Sequence, residues 1–218
     1  MTKRILAINP NATESCTLSI RRAAEPFRRE GLEIVAETVA DGPASVASMA
    51  DYAVAQGSLV CHLEARNANA DAYVIACFSD PALPAAAEVT GRPCFGLGEA
   101  GMLAAMQRGQ SFGIVALAPA SVERQRRRVA ELGLQSRYAG SRAVALSVPE
   151  LADADRTVAA MIEAGRTLVR QDGADVVVMG CAGMADYRAE LAEALGVPVV
   201  EPTQAALAAA TGAVLQGW

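Results

Sequence analysis

Short apolar runs alternate along the chain with longer stretches in which alanine and leucine recur at helical spacing. The apolar runs are uninterrupted, as in parallel strands that are buried on both faces. These runs predict strands at 4–8, 32–39, 72–76, 93–97, 111–117, 142–146 (the weakest), 176–179 and 197–200. The stretches between them predict helices at about 15–30, 44–69, 81–89, 121–132, 149–171, 184–195 and 202–215. The pattern therefore predicts an α/β fold whose parallel sheets are covered by helices.

The second half of this pattern repeats the first. Segment 70–77 (ADAYVIAC) matches segment 174–181 (ADVVVMGC), and segment 5–11 (ILAINPN) lies roughly opposite segment 114–120 (IVALAPA). We therefore predict two pseudo-symmetric domains, each a short parallel sheet flanked by helices, joined near residues 98–109. The predicted boundaries are 1–98 for the first domain, completed by a C-terminal helix at 203–218, and 99–202 for the second.

Composition and charge exclude several classes of function. The net charge is −5 and aromatic residues make up 4% of the chain, which disfavours a nucleic-acid surface. A single histidine, His62, excludes a His-rich zinc site, and it excludes any Ser-His triad that does not use it. The five cysteines include no C-x-x-C pair, and the first apolar run is too short for a leader or a membrane span. We expect a cytoplasmic protein with reduced thiols, no metal and no membrane partner.

Ligands of open parallel sheets bind beyond the carboxyl ends of the strands. Four segments fall there: 9–11, 77–80, 118–120 and 180–183. Two of them carry a cysteine at the same place in each repeat, Cys77 and Cys181. If the repeats pack about a pseudo-twofold axis, the two thiols flank one interdomain cleft. Each thiol also precedes a predicted helix, and we expect the N–H dipoles of that helix to lower the thiol pKa.

Two thiols on opposite sides of a cleft suit inversion of a carbon stereocentre, because one thiolate can remove a proton while the other thiol returns one. Negative charge that develops on the substrate needs donors, which backbone N–H groups shaped by Gly180 and Gly183 and the Ser79 hydroxyl can supply. The amides of Asn9 and Asn11 can both donate and accept. Segment 96–101 (GLGEAG) breaks the G-x-G-x-x-G spacing, so no nicotinamide site is apparent and no cofactor is expected.

Segments 8–11 (INPN), 76–81 (ACFSDP) and 179–184 (MGCAGM) resemble motifs of the Asp/Glu/hydantoin racemase superfamily, and within it the hydantoin racemases, which include allantoin racemases. The resemblance continues through segments 98–100 and 198–202. It implies a cofactor-independent, homo-oligomeric racemase of a small molecule in which Cys77 and Cys181 are the acid/base pair. The predicted substrate-binding residues are Asn9, Asn11, Phe78, Ser79, Pro119, Gly180, Ala182 and Gly183. Segment 116–119 (ALAP) lacks the threonines usual in this branch, a departure that bears on the substrate more than on the reaction.

The leading hypothesis is a racemase of 5-monosubstituted hydantoins, with allantoin as one candidate. An aspartate- or glutamate-type racemase is an alternative, but an α-carboxylate needs a cation and the four strand-end segments contain no lysine or arginine. A maleate isomerase or arylmalonate decarboxylase relative is another alternative, although the decarboxylase type needs only one cysteine. A non-catalytic small-molecule binding module is the alternative outside enzymes, since a strand-end cysteine taken alone is more often a packing residue.

Several other residues have simpler interpretations. Cys16, Cys61 and Cys94 are predicted to be structural. The basic run 124–128 (RQRRR) is predicted to form a solvated helix face. Asp80 is a possible helix cap, and Glu99 either caps a helix near Met102 or touches substrate.

Overall fold

The computed structural model describes residues 2–65 and 70–218. Its strands are β1 Lys3–Asn9, β2 Leu32–Thr38, β3 Ala72–Ile75, β4 Cys94–Gly96, β5 Phe112–Ala116, β6 Tyr138–Ala143, β7 Val176–Gly180 and β8 Val199–Val200. Its α-helices are α1 Glu14–Ala23, α2 Met49–Ala65, α3 Leu83–Thr90, α4 Leu97–Met106, α5 Pro119–Glu131, α6 Ala154–Arg170, α7 Arg188–Leu195 and α8 Pro202–Gln216.

The strands form two parallel four-stranded sheets with the same order, β2-β1-β3-β4 and β6-β5-β7-β8. This confirms the predicted α/β fold. In each sheet the chain runs outward in opposite directions from a central pair of strands, β1 and β3 in the first and β5 and β7 in the second. Such a reversal opens a crevice at the carboxyl ends of the central strands. Asn9 and Cys77 lie at or just beyond one pair of ends, and Ala118 and Cys181 lie beyond the other.

The central strands are buried on both faces. In β1, Ile5 and Ala7 belong to one apolar cluster while Leu6 and Ile8 belong to another, so alternate side chains pack under helices on opposite sides of the sheet. The same division in β7 places Val177 in the first cluster and Val178 in a third. Uninterrupted apolar strands follow directly from this packing, because neither face of the strand meets water.

Two predicted helices begin or end elsewhere for local reasons. α1 ends at Ala23 rather than near residue 30, because Pro26 follows and the chain continues as a 3₁₀ turn at Glu25–Phe27. α2 begins at Met49 rather than at residue 44. Ser48 and Asp51 exchange hydrogen bonds at this end of the helix and form a capping box. Residues 66–69 of the predicted helix at 44–69 lie outside the described residues.

Strand β6 lies four residues upstream of the predicted strand at 142–146. The apolar stretch used for the prediction is interrupted by Ala145, whose φ of 55° is incompatible with an extended strand. The observed strand is poor in apolar residues and pairs with β5 through a bulge at Phe112–Gly113. The predicted position of this strand was therefore wrong, although the chain does form one strand between α5 and α6.

The segment predicted to join the halves is mostly helical. α4 spans the expected boundary between residues 98 and 99, and α8 packs on α4 and against β3 and β4 of the first sheet. The division into domains stays a prediction. Within the described residues, no helix is long and apolar enough to cross a membrane.

Candidate active site

A narrow pocket lies where the strand ends of the two sheets face each other. Both sheets contribute, and the lining residues that end or follow the central strands are Asn11, Ala76, Cys77, Phe78, Ser79, Leu117, Ala118, Gly180, Cys181 and Ala182. The other lining residues are Ser45 and Val46 from the segment before α2, Cys16 of α1, Val148, and Ser121, Arg124 and Gln125 of α5. The cavity volume is ≈ 40 Å³. Both sulfur-bearing side chains predicted to react thus line one pocket.

The structure separates the predicted substrate-binding residues into two groups. Asn11, Phe78, Ser79, Gly180 and Ala182 line the pocket, whereas Asn9, Pro119 and Gly183 are not among its lining residues. Their roles toward a substrate stay predictions.

Asn9 is fully buried within its own loop. Its Nδ2 donates to Asn11 Oδ1 (3.2 Å) and to Thr17 Oγ1 (3.0 Å), and its Oδ1 accepts from the Asn11 backbone N–H (3.2 Å). Asn9 therefore positions Asn11, and through Asn11 the edge of the pocket.

Cys77 is half-buried and lies beside both donors and a cation. Burial, with a smaller contribution from the nearby Asp80 carboxylate, raises the pKa of the Cys77 thiol to about 11. The Ser79 backbone N–H, which donates to the sulfur, and the Arg124 guanidinium act in the opposite direction on this pKa. Donors are thus in place to hold a thiolate at Cys77 once one forms.

Cys181 is more deeply buried, with 9% of its surface exposed. Burial raises the pKa of the Cys181 thiol well above its usual value, and Cys16, Cys77 and Glu201 add to that effect. The Gly183 backbone N–H donates to this sulfur, so each thiol has an N–H donor two residues further along the chain. The expectation that helix N-termini lower both thiol pKa values is wrong, because the effect of burial outweighs that of these donors.

Two further residues line the pocket that the sequence did not place there. Cys16, on α1, lines the pocket and interacts with the Asn11 side chain, although burial raises its pKa to about 12. Arg124, on α5, also lines the pocket, with its Nε donating to Ser79 Oγ and its Nη2 donating to the Val46 carbonyl, both at 3.0 Å. The interpretation of the basic run as a solvated face is thus wrong for Arg124. It agrees with Arg126 and Arg127, which are exposed and pair with Glu123.

Three polar atoms at this pocket are buried and have no hydrogen-bond partner among the described residues. They are Ser45 Oγ, Arg124 Nη1 and Gln125 Oε1. Buried polar atoms are normally paired, because an unpaired one costs about 1–3 kcal/mol. A small ligand carrying both acceptors and donors fits this set.

Two buried carboxylates cap the helices that follow the sheets. Asp80 accepts from the backbone N–H groups of Gly98 and Glu99, both at 2.8 Å, and so caps α4. Glu201 accepts from Thr203 and Gln204 and caps α8 in the same way. Asp80 therefore caps a helix other than the one that follows it in sequence, and it fixes the turn after Cys77. Glu99 pairs with Arg128 at 2.6 Å and is not among the lining residues of the pocket.

The titration of Asp80 gives a prediction about stability. Burial raises the pKa of Asp80 to about 7, from about 4 in an unfolded chain. The folded state then holds a proton that the unfolded state has lost, so the contribution of Asp80 to stability is complete below about pH 4 and is lost as the pH rises to about 7. We expect the difference in unfolding free energy between wild type and Asp80→Asn to shrink over this range, by at most about 4 kcal/mol. Urea unfolding at several pH values measures it.

The exposed Asp155→Asn variant controls for the loss of one negative charge. A wild-type-minus-Asp80→Asn difference that stays constant or grows between pH 4 and 7 would contradict the raised pKa.

Comparisons with known proteins agree with this fold. The family model described as Asp/Glu/Hydantoin racemase matches residues 5–210. A hydantoin racemase from Paenarthrobacter aurescens is 35% identical over 99% of this chain and 92% of its own length. The structure of an allantoin racemase from Klebsiella pneumoniae superposes with a TM-score of 0.92, at 32% identity over 99% of this chain and 89% of that one. The allantoin racemase from Pseudomonas fluorescens gives a TM-score of 0.94, at 29% identity over 98% of this chain and 92% of that one.

Proposed function

The chain belongs to the Asp/Glu/hydantoin racemase family and is an isomerase of the racemase type, and we propose that it racemises 5-monosubstituted hydantoins with Cys77 and Cys181 as its acid/base pair. The observation that supports the proposal best is that both thiols, from equivalent strand ends of two like sheets, line one pocket. The similarity to hydantoin and allantoin racemases supports the substrate class.

The proposed reaction exchanges one proton for another at C5. A thiolate takes the C5 proton, forming an S–H bond, while the electron pair of the broken C–H bond is delocalised onto the adjacent carbonyl oxygen. The opposite thiol then gives its proton to the other face of the planar anion and becomes the thiolate. No cofactor is needed, because the products differ from the reactants only in the hand of C5 and in which sulfur carries the proton.

The raised pKa values of Cys77 and Cys181 make each thiolate a stronger base. A thiolate of high pKa is a stronger base toward a weakly acidic C–H group, although less of it is present at neutral pH. The N–H groups of Ser79 and Gly183 favour the thiolate form at each sulfur. These opposing effects support a pair in which either thiol can carry the charge in turn.

Substrate entry requires the pocket to widen. A cavity of ≈ 40 Å³ is far below the roughly 300–1,000 Å³ of sites that enclose drug-sized ligands. The segment before α2 is joined to the pocket wall by the hydrogen bond that Arg124 donates to the Val46 carbonyl. In this proposal, the segment before α2 moves outward to admit a ring.

An aspartate- or glutamate-type racemase is the second candidate. The sequence argued against it because the strand-end segments lack a cation, but Arg124 places one at the pocket. The relatives that match most of the chain at 29–35% identity are nevertheless hydantoin and allantoin racemases. We therefore rank the hydantoins first.

A panel of single enantiomers distinguishes these candidates. Optical rotation should decay to zero for 5-monosubstituted hydantoins, with allantoin tested beside them, and should persist for aspartate and glutamate. Decay with an amino acid and none with any hydantoin would favour the second candidate. If no compound racemises but hydantoins raise the melting temperature, a non-catalytic binding module would be favoured instead. The homo-oligomer and the cytoplasmic location stay predictions.

A further inference from the structure

Arg124 has a buried donor directed at no protein acceptor. Its Nε and Nη2 are bound to Ser79 Oγ and to the Val46 carbonyl, whereas Nη1 is buried and has no partner within the described residues. A guanidinium presents five N–H donors in a rigid fork, and a buried N–H left unpaired is costly. The arrangement fits an acceptor that arrives with the substrate.

The charges of the groups around Arg124 also indicate that its partner is an acceptor on the substrate. The described residues that line the pocket include no carboxylate. Asp51, the carboxylate that acts on Arg124, is half-buried and accepts from the backbone N–H groups of Ser48 and Ala47. Tyr52 lies under the guanidinium, with its ring centre 5.8 Å from Cζ. Cys77 is the remaining titratable group that acts on Arg124, so the positive charge faces the side of the pocket where one thiol reacts.

The other cation of α5 near the pocket is already neutralised. Arg128 pairs with Glu99 (2.6 Å) and Glu131 (3.1 Å), and its Nε lies 3.8 Å from Asp80. On the far side, Cys181 is influenced by Cys16, Cys77 and Glu201, which all disfavour a negative charge on its sulfur. The two thiols therefore differ in electrostatics although the fold around them is repeated.

We propose that Arg124 is a catalytic residue, in that its Nη1 donates to the carbonyl oxygen beside the reacting carbon and its charge stabilises the negative charge shared between that oxygen and the Cys77 thiolate. The role rests on the proposed function for its substrate, but its effect on Cys77 does not. A charge-assisted hydrogen bond to an oxygen that gains negative charge is stronger in the transition state than in the ground state, which is the condition for raising kcat. The substrate that fits is a ring with a carbonyl next to the acidic carbon and no requirement for a carboxylate.

The test compares Arg124→Gln, Arg124→Lys and the control Arg127→Gln, which removes an exposed arginine from the same helix. With a hydantoin bearing a neutral side chain, we expect Arg124→Gln to lower kcat by about 10²–10³-fold, as for loss of one oxyanion donor. Arg124→Lys should recover part of the loss, because it keeps the charge but not the fork. Arg127→Gln should stay within about twofold of wild type. The inhibition constant of 5,5-dimethylhydantoin, which has no C5 proton, should change by less than about tenfold in Arg124→Gln.

A second readout needs no substrate. The pH midpoint of Cys77 alkylation by iodoacetamide, followed by peptide mass spectrometry, should rise in Arg124→Gln, whereas the midpoint for Cys181 should not move. If no hydantoin is racemised by wild type, the proposed function fails, and this midpoint still decides whether Arg124 acts on Cys77.

Three results would overturn the proposal. The first is an unchanged Cys77 midpoint in a folded Arg124→Gln variant. The second is that Arg124→Gln lowers kcat/KM and the affinity for 5,5-dimethylhydantoin by equal factors. Arg124 would then only hold the segment at Val46 or bind the ground state. The third is a loss confined to hydantoins that carry a carboxylate, which assigns Arg124 to side-chain specificity.

Discussion

Cys77→Ser and Cys181→Ser should each lower racemisation of either enantiomer by at least about 10³-fold. Both thiols line the pocket, and in the proposed mechanism each turnover uses one as base and the other as acid. Positioned acid–base groups contribute roughly 10²–10⁴-fold each, and groups that act as a unit lose nearly everything when one is removed. Serine keeps the size and the hydrogen-bonding capacity of the side chain but is a far weaker acid. Polarimetry of each purified enantiomer measures the loss.

The two variants should differ in which enantiomer still exchanges its C5 proton with solvent. With Cys77 replaced, Cys181 can still remove and return a proton on its own face, so in D₂O one enantiomer gains deuterium without inverting. With Cys181 replaced, the other enantiomer should gain deuterium without inverting. Cys61→Ser is the matched control, because Cys61 is an exposed thiol on α2. Exchange of the same enantiomer in both variants, or wild-type racemisation in either, would show that the thiols do not serve opposite faces.

Gly180→Ala should lower both activity and stability. Gly180 ends β7 directly before Cys181, and a Cβ there would lie 2.5 Å from the Val115 carbonyl oxygen and 3.2 Å from the Ala116 Cα. Both atoms belong to the backbone of β5 and cannot withdraw as the end of a side chain can. The end of β7 must therefore shift and carry Cys181 with it. We expect kcat to fall about 100-fold, since a displacement of about 1 Å can cost that much, and the unfolding free energy to fall by about 1–3 kcal/mol.

Gly57→Ala is the control for this variant. Gly57 lies on α2, and a Cβ there meets nothing within 4 Å. Alanine at this helical position should leave activity unchanged and raise the unfolding free energy by up to about 1 kcal/mol. Steady-state kinetics and urea unfolding of both variants test the pair. A Gly180→Ala protein with wild-type kcat would indicate that the position of the Cys181 sulfur is not critical.

The existence and approximate positions of most strands were predictable because their signal is local. A strand such as β3 is uninterruptedly apolar since helices cover both faces, and the repeat that ends in Cys77 and Cys181 follows from two sheets of the same order. Strand β6 was misplaced because its few apolar residues give little signal, while the apolar stretch after it contains the positive φ of Ala145.

The sequence did not place Arg124 or Cys16 at the pocket, because their positions there depend on contacts between distant segments. Arg124 lies in a basic run, and only the position of α5 decides which of these residues faces the pocket. A helical projection of α5 shows part of this difference. Arg124 is adjacent to the buried positions Ser121 and Gln125. Arg126 and Arg127 lie on the exposed face. The raised thiol pKa values depend on burial, which local sequence does not specify.

Deuterium incorporation during the first turnover of the wild-type protein tests the two-thiol mechanism most directly. One enantiomer of a 5-monosubstituted hydantoin, protiated at C5, is mixed in D₂O with an excess of protein. Substrate and product are then separated, and the deuterium content of each is measured by mass spectrometry. Two thiols on opposite faces predict product that carries solvent deuterium while the unconverted substrate still carries its original hydrogen. Product that retains the original hydrogen, or substrate and product that gain deuterium at equal rates, would indicate a single base and contradict the mechanism.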